Sequence, residues 1–292
     1  LKHEKYKKTG DLKMKKFNSA VRVIAILAVV LVAKYVFAGP PLTNLEGVGG
    51  IAFNPLAYLA DSGEDAGLKI DGKKVASKPR IGSWYVNLSD VKVDWTAIGI
   101  ADTFFDRLEV SYGYETVNPE NSKSIHKHNI GAKLLVLKEN SFDTNYVPAV
   151  SVGAIFKQTS NVGAGSDDTG ADYYGVATKL ITSLPRPVLI SGGLLSTKAK
   201  ATGVFGYDKD SKLTGFGNID IIFPLGLIAG FEYKQGADYS DWKDANYWNT
   251  HVAWTANNNL TIVLALVNAG DYKSTSEVGL GNGFVSSIQY AF

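Results

Sequence analysis

Beyond Gly39 the chain alternates apolar and polar residues with a period of two, and no long segment carries apolar residues at i, i+3, i+4 and i+7. Successive side chains of a strand point to opposite sides, so this period marks strands with two unlike faces. The pattern predicts twelve strands, at about 44–53, 91–101, 106–117, 125–138, 146–158, 172–183, 187–199, 213–223, 226–235, 247–256, 259–268 and 282–292. In the third, Leu108, Val110, Tyr112 and Tyr114 oppose Arg107, Glu109, Ser111, Gly113 and Glu115. In the ninth, Leu227, Ala229, Phe231 and Tyr233 oppose Gly230, Glu232 and Lys234. In the tenth, Trp248, Thr250, Val252 and Trp254 oppose Asn249, His251 and Ala253. The eleventh sets Leu260, Ile262, Leu264 and Leu266 on one face, but Val263 and Val267 on the other blur it.

The connections sort into two kinds. Those at 102–105, 183–186, 224–225 and 257–258 are short, and they alternate with longer polar stretches at 54–90, 118–124, 159–171, 200–212, 236–246 and 269–281. Short turns at one end and long loops at the other is the pattern of a transmembrane barrel, and an even strand count puts both chain ends on the short-turn side. A soluble sandwich or lipocalin-like barrel also alternates, but nothing there sorts its loops. Tyr112, Tyr114, Tyr173, Tyr174, Tyr233, Tyr247, Trp248, Trp254 and Tyr290 gather near strand ends, where a membrane interface favours amphipathic rings. The fold class predicted is all-β: a transmembrane antiparallel β-barrel of about 12 strands following an N-terminal signal peptide. Residues 1–38 form the upstream and signal portion and 39–292 the single barrel.

That signal reads as follows. Met14 is the natural start, Lys15, Lys16 and Arg22 supply positive charge, and Val23 to Ala33 is an unbroken apolar run. Val36-x-Ala38 then fits a small-residue cleavage site. Eleven apolar residues at about 1.5 Å rise do not span about 30 Å of hydrocarbon, so an anchor is disfavoured. Removing the segment turns a net charge of +2 into −5, with 21 basic and 26 acidic groups left. The apparent basicity belongs to the signal, and nucleic acid is not an expected partner. There are 0 Cys, which excludes disulfides and thiolate metal sites.

The last strand ends on Phe292, and alternate positions before it carry Tyr290, Ile288, Ser286 and Phe284. This resembles the C-terminal signature of bacterial outer-membrane proteins, with Ser286 a mild departure. The resemblance implies assembly by the barrel-assembly machinery and residence, among outer-membrane lipid and lipopolysaccharide, in a Gram-negative outer membrane. Gly39 to Tyr58, taken with Asp106-Arg107-Leu108-Glu109-Val110-Ser111-Tyr112-Gly113, resembles an uncharacterised family of Gram-negative proteins of unknown function. That family carries no activity or site to transfer.

Twelve strands at about 4.8 Å spacing and about 40° tilt make a backbone cylinder roughly 24 Å across, with a lumen near 12 Å once side chains are counted. Arg107, Glu109, Glu115, Lys133, Lys157, Lys179, Glu232, Lys234, His251 and Gln289 are the expected lining. Mixed charge fits either an open polar channel for ions or small solutes, or an ion-paired closed interior in a barrel that acts through its extracellular loops. Asn54 to Ala60 is a candidate constriction, with one or two helical turns begun by Asn54 as N-cap and Pro55 at N1.

Catalysis is not expected. His126, His128 and His251 are the histidines beyond the signal, and His251 has no Gly-x-Ser-x-Gly element nearby. His126 and His128 make a poor metal site without a third ligand. Asp167, Asp168 and Asp172, or Asp238, Asp241 and Asp244, could offer oxygen ligands to Ca²⁺, but solvated loops are the commoner outcome. No cofactor is expected. The glycines read as relief of crowding within strands.

Overall fold

A computed structural model describes residues 42–61, 67–163 and 165–292. The expected signal at 1–38 lies outside these described residues. A short hairpin, β1 (Leu68–Ile70) and β2 (Lys73–Ala76), precedes the barrel. The barrel strands are β3 (Arg80–Leu88), β4 (Val93–Phe104), β5 (Leu108–Pro119), β6 (Ile125–Leu137), β7 (Ala149–Thr159) and β8 (Thr169–Ile181). They continue with β9 (Val188–Ala199), β10 (Tyr207–Ile222), β11 (Leu227–Lys234), β12 (Tyr247–Thr255), β13 (Leu260–Asn268) and β14 (Asn282–Ala291).

Each of these twelve pairs antiparallel with its sequence neighbour, and β14 returns to pair with β3 from Gly283↔Leu88 to Ala291↔Arg80. The sheet is closed, so the barrel strands leave no unpaired edge.

The side-chain period sets two surfaces. Outward positions are apolar and exposed, as in Ile98, Ile130, Val152, Leu194, Val252, Leu264 and Ile288. Exposed apolar surface wrapped around a whole barrel far exceeds the few hundred Å² that soluble monomers show, and it suits hydrocarbon. No described helix is long and apolar enough to cross a membrane; the crossing is made by strands. Among the aromatic residues expected at the interfaces, Tyr112, Tyr173, Tyr233, Trp248, Trp254 and Tyr290 are exposed on this exterior, whereas Tyr174 and Tyr247 are buried on the inward face.

The strand count matches the expectation, but one strand is different. Residues 44–53 form no barrel strand, and the first wall strand is β3, within a stretch that reads as a long connection. The cause is the lumen. Trp84, Val86 and Leu88 point inward and are buried, while Ser83, Tyr85 and Asn87 point outward, so β3 loses the polar-in, apolar-out contrast. It does so because residues 42–61 lie inside the barrel and give the inward side something apolar to pack against.

The loops at one end are 89–92, 120–124, 160–168, 200–206, 235–246 and 269–281; at the other they are 105–107, 138–148, 182–187, 223–226 and 256–259. The sorting is partial: 89–92 and 120–124 are short on the long side, and 138–148 is long on the short side. The first barrel strand begins, and the last ends, at the short-turn end.

Candidate functional site: an occupied lumen

The inserted segment 42–61 folds back on itself through bonds such as Leu45 N–H to the Ala52 carbonyl and Leu56 N–H to the Gly49 carbonyl, and the wall takes several of the backbone groups that remain. The N–H groups of Gly49 and Ala60 donate to the two oxygens of Glu109 at 2.8 and 2.7 Å. Those of Phe53 and Asn54 donate to Glu232 at 3.1 and 2.7 Å. Ala57 N–H donates to Thr178 Oγ1 at 2.8 Å. Lys133 Nζ donates to the carbonyls of Gly49, Leu56 and Tyr58 while ion-paired with Glu109 at 2.9 Å. At the other end of the segment, Thr43 N–H donates to Gln289 Oε1, and Trp84 Nε1 donates to the Thr43 carbonyl at 2.8 Å. Asn54 to Ala60 is not helical, and the Asn54 amide donates to the Gly217 and Tyr233 carbonyls instead of capping.

Glu46 reaches from the segment into a line of wall charges. Glu115 and Lys127 face each other in the β5–β6 register and pair at 2.9 Å; Lys127 pairs with Glu46 at 2.9 Å; Glu46 also pairs with Lys157, which pairs with Asp172 at 2.6 Å. All five are buried. Buried charges are retained only where each has a partner, and here the segment supplies the middle member of the series.

Glycines let the segment come this close. Gly82, Gly99 and Gly113 are register partners across β3, β4 and β5. A Cβ on Gly113 would sit 2.4 Å from the Glu46 carbonyl oxygen, and one on Gly99 would sit 2.6 Å from Gly47 Cα. Gly47 itself turns with φ of 86°. The glycines therefore hold a groove for another backbone, a role beyond relieving crowding within strands.

Apolar packing completes the contact. Leu42, Leu45, Ile51, Ala52 and Leu56 join Trp84, Val86, Trp95, Val263, Val267 and Val285 in one buried cluster. Val48 and Ala57 join a smaller one with Ile155, Tyr174 and Phe216.

Of the residues expected to line the lumen, Glu109, Glu115, Lys133, Lys157, Glu232, Lys234, His251 and Gln289 point inward and are buried. Two do not. Arg107 sits exposed in the β4–β5 turn, donating to the Leu135 and Val136 carbonyls, because the strand starts one residue later than its alternation suggests. Lys179 has the outward parity of Tyr173 and lies at the rim, paired with Glu139 at 2.8 Å. Sequence reasoning placed Asn54 in a candidate constriction but as a helix cap, and it missed Glu46 and Thr178. The signal for Glu46 was a charged residue in an otherwise Gly- and Ala-rich stretch.

His251 bonds through Nε2 to Asp220 at 2.7 Å and through Nδ1 to Asn249 at 2.8 Å, and Asn249 donates to Glu232. The imidazole therefore braces a carboxylate that holds the inserted segment. His126 and His128 lie on the outer face against Tyr114 and Tyr112. Among the described residues no group of three or more His, Asp or Glu is placed to hold a metal ion. Asp172 belongs to the buried charge series, and Asp241 pairs with Lys200. Asp244 accepts from Ala201 N–H and from Trp242 Nε1. Burial pushes the Asp244 carboxyl above the ordinary carboxylate range, against those hydrogen bonds.

Phe284, Ile288 and Tyr290 of β14 face outward, and Phe292 packs edge-on against Tyr290.

With this architecture in view, the chain is similar in fold to the KdgM porin, at 14% identity and a TM-score of 0.53, covering 73% of this chain and 99% of that one. It is also similar to the NanC porin (10% identity, TM-score 0.49, 73% and 98% covered). A third is the Acinetobacter baumannii outer membrane protein Omp33 (9% identity, TM-score 0.41, 75% and 99% covered). The KdgM likeness speaks to the fold, that of a porin-like outer-membrane barrel. Comparison with curated proteins found no match. Residues 39–280 match the family described as protein of unknown function (DUF3034), and the chain belongs to that family.

Proposed function

We propose that the protein is a small outer-membrane channel for ions or small solutes, closed at rest by its own residues 42–61 and conducting when that segment withdraws. One observation supports this above others. Much of the wall's hold on the segment consists of Glu109, Glu232, Lys133 and Thr178 addressing backbone N–H and C=O groups. Water can take over each of those bonds once the segment leaves. The pore would then be lined by Glu109, Glu115, Lys133, Lys157, Glu232, Lys234, His251 and Gln289.

The glycine groove provides the test. Gly113→Val puts side-chain atoms where the Glu46 carbonyl lies. In planar bilayers the wild-type protein is expected to show rare steps and the variant frequent ones, with heat-modifiable migration confirming an intact barrel. Absence of steps from both would leave the second reading, a permanently closed barrel acting through its extracellular loops. The apolar packing of Leu42, Leu45, Ile51 and Leu56 favours that alternative.

The apolar exterior then meets lipid and lipopolysaccharide. The outward row Phe284, Ile288, Tyr290 and Phe292 is what the barrel-assembly machinery reads. Deleting Phe292 is expected to lower insertion into the outer membrane without lowering export to the periplasm; unchanged membrane level and heat-modifiable migration would contradict this.

A further inference from the structure

Between Leu42 and Ala60 the inserted segment carries a single charged side chain, Glu46. Its Oε1 accepts from Lys127 Nζ at 2.9 Å and from Lys157 Nζ. Lys234 is more than nine-tenths buried, lines a cavity together with Glu46, and makes no hydrogen bond or ion pair among the described residues. Ammonium groups are rarely buried that way. Lys127 and Lys157 also pair with Glu115 and Asp172 of the wall. The wall alone therefore sets three ammonium groups against two carboxylates here, and Glu46 supplies the charge that balances them. Lys127 is the third residue of β6, Lys157 the third from the end of β7 and Lys234 the last of β11, so all three stand toward the long-loop end.

Withdrawal of the segment removes the carboxylate and leaves the excess positive charge behind. A solute carboxylate restores the balance, an amine adds to the excess, and a neutral amide leaves it as it is. While the segment is in place there is no room for both. The cavity beside Glu46 is only about 60 Å³, and Trp95, Glu115, Thr202 and Tyr247 give it polar groups, so it is a space for water and not for a solute. We infer that Lys127, Lys157 and Lys234 form a binding site for the carboxylate of a small monoanionic organic acid, filled at rest by Glu46 and by the solute when the segment withdraws. This deepens the channel reading and rests on it for the solute's passage, but the site itself is testable without any current.

The first test uses the full barrel in detergent micelles. Glu46→Ala removes the Cγ methylene and the carboxylate, the heavy atoms of one acetate ion, and is expected to lower the melting temperature while heat-modifiable migration stays intact. Acetate at up to about 100 mM is then expected to raise it again saturably, since a ligand that binds only the folded form stabilises that form. Acetamide, and chloride at the same ionic strength, are expected to leave it unchanged. Adding Lys234→Met deprives no wall carboxylate of its ion-pair partner, and is expected to raise the acetate concentration at half effect at least about threefold. No rescue by acetate, equal rescue by acetamide or chloride, or an unchanged half-effect concentration in the double variant would each overturn the inference. Should the double variant fail to fold, the three-probe comparison on Glu46→Ala still decides it. The second test adds acetate to Gly113→Val in planar bilayers, where acetate but not acetamide is expected to reduce the chloride current saturably. Rescue in micelles with no current in bilayers would uphold the site and sink the channel reading; current untouched by acetate, with no rescue, would do the reverse.

Discussion

The arc of wall made by β3, β4, β13 and β14 and the arc from β5 to β8 with β11 hold the same segment by opposite chemistry. The first presents Trp84, Val86, Trp95, Val263, Val267 and Val285 to Leu42, Leu45, Ile51 and Leu56. The second presents Glu109, Lys133, Thr178 and Glu232 to its backbone, and Lys127 and Lys157 to Glu46. Separation from the first arc exposes apolar surface at roughly 25 cal/mol per Å², whereas separation from the second exchanges protein hydrogen bonds for hydrated ones at a small net cost each. The first arc therefore carries stability and the second carries position. A channel built this way would release its polar contacts first and its apolar ones last.

Three substitutions would break or sharpen that contrast. Trp84→Ala removes the largest fully buried side chain and its bond to the Thr43 carbonyl. It is expected to cost about 3–5 kcal/mol of barrel stability, read from denaturant midpoints in micelles; a loss under about 1 kcal/mol would mean that this arc is not a packed core. Glu232→Gln keeps the shape but removes the charge behind the Phe53 and Asn54 bonds. It should weaken retention of the segment by about 1–2 kcal/mol, roughly tenfold, seen as faster proteolysis within 42–61 with little change in barrel melting. An equal drop in melting would assign stability to both arcs alike. Lys92→Ala, which breaks the exposed pair with Glu120 on the loop side, is expected to change stability by less than about 1 kcal/mol and to leave segment retention unaltered.

The contrast also explains what could be read from the chain. Strands bordering the polar arc obey the simple rule: in β5, Glu109 and Glu115 turn in while Leu108, Val110 and Tyr112 turn out. That rule assumes a wet interior. Where the interior is a core, inward residues become apolar and the two faces converge, so β3 hid inside an apparent loop. Val263 and Val267 already carried the clue, since a strand apolar on both faces needs something dry on each. The inserted segment was harder to see. Its Gly-rich stretch mimics an alternating strand, and the groups by which the wall side chains hold it are its own backbone N–H and C=O, which leave no mark on side-chain pattern. Lining residues were legible wherever strand parity was secure, and went astray at Arg107 and Lys179, both at strand ends where a one-residue change of boundary or direction decides the face.

The β3–β14 seam bears on how the molecule is made. It joins residues about 200 positions apart, as in Val86↔Val285, and in sequence only the β1–β2 hairpin and its flanks separate β3 from the inserted residues 42–61. Once that seam is closed, residues 42–61 can enter or leave only through the mouths of the barrel, since no gap remains in its wall. Laying them against the glycine groove while the ring is still open would spare that passage, and sealing would convert a loose association into an enclosed one. Long-range pairing of this kind is slow, so a variant that fails to fill its interior in time would be expected to seal empty.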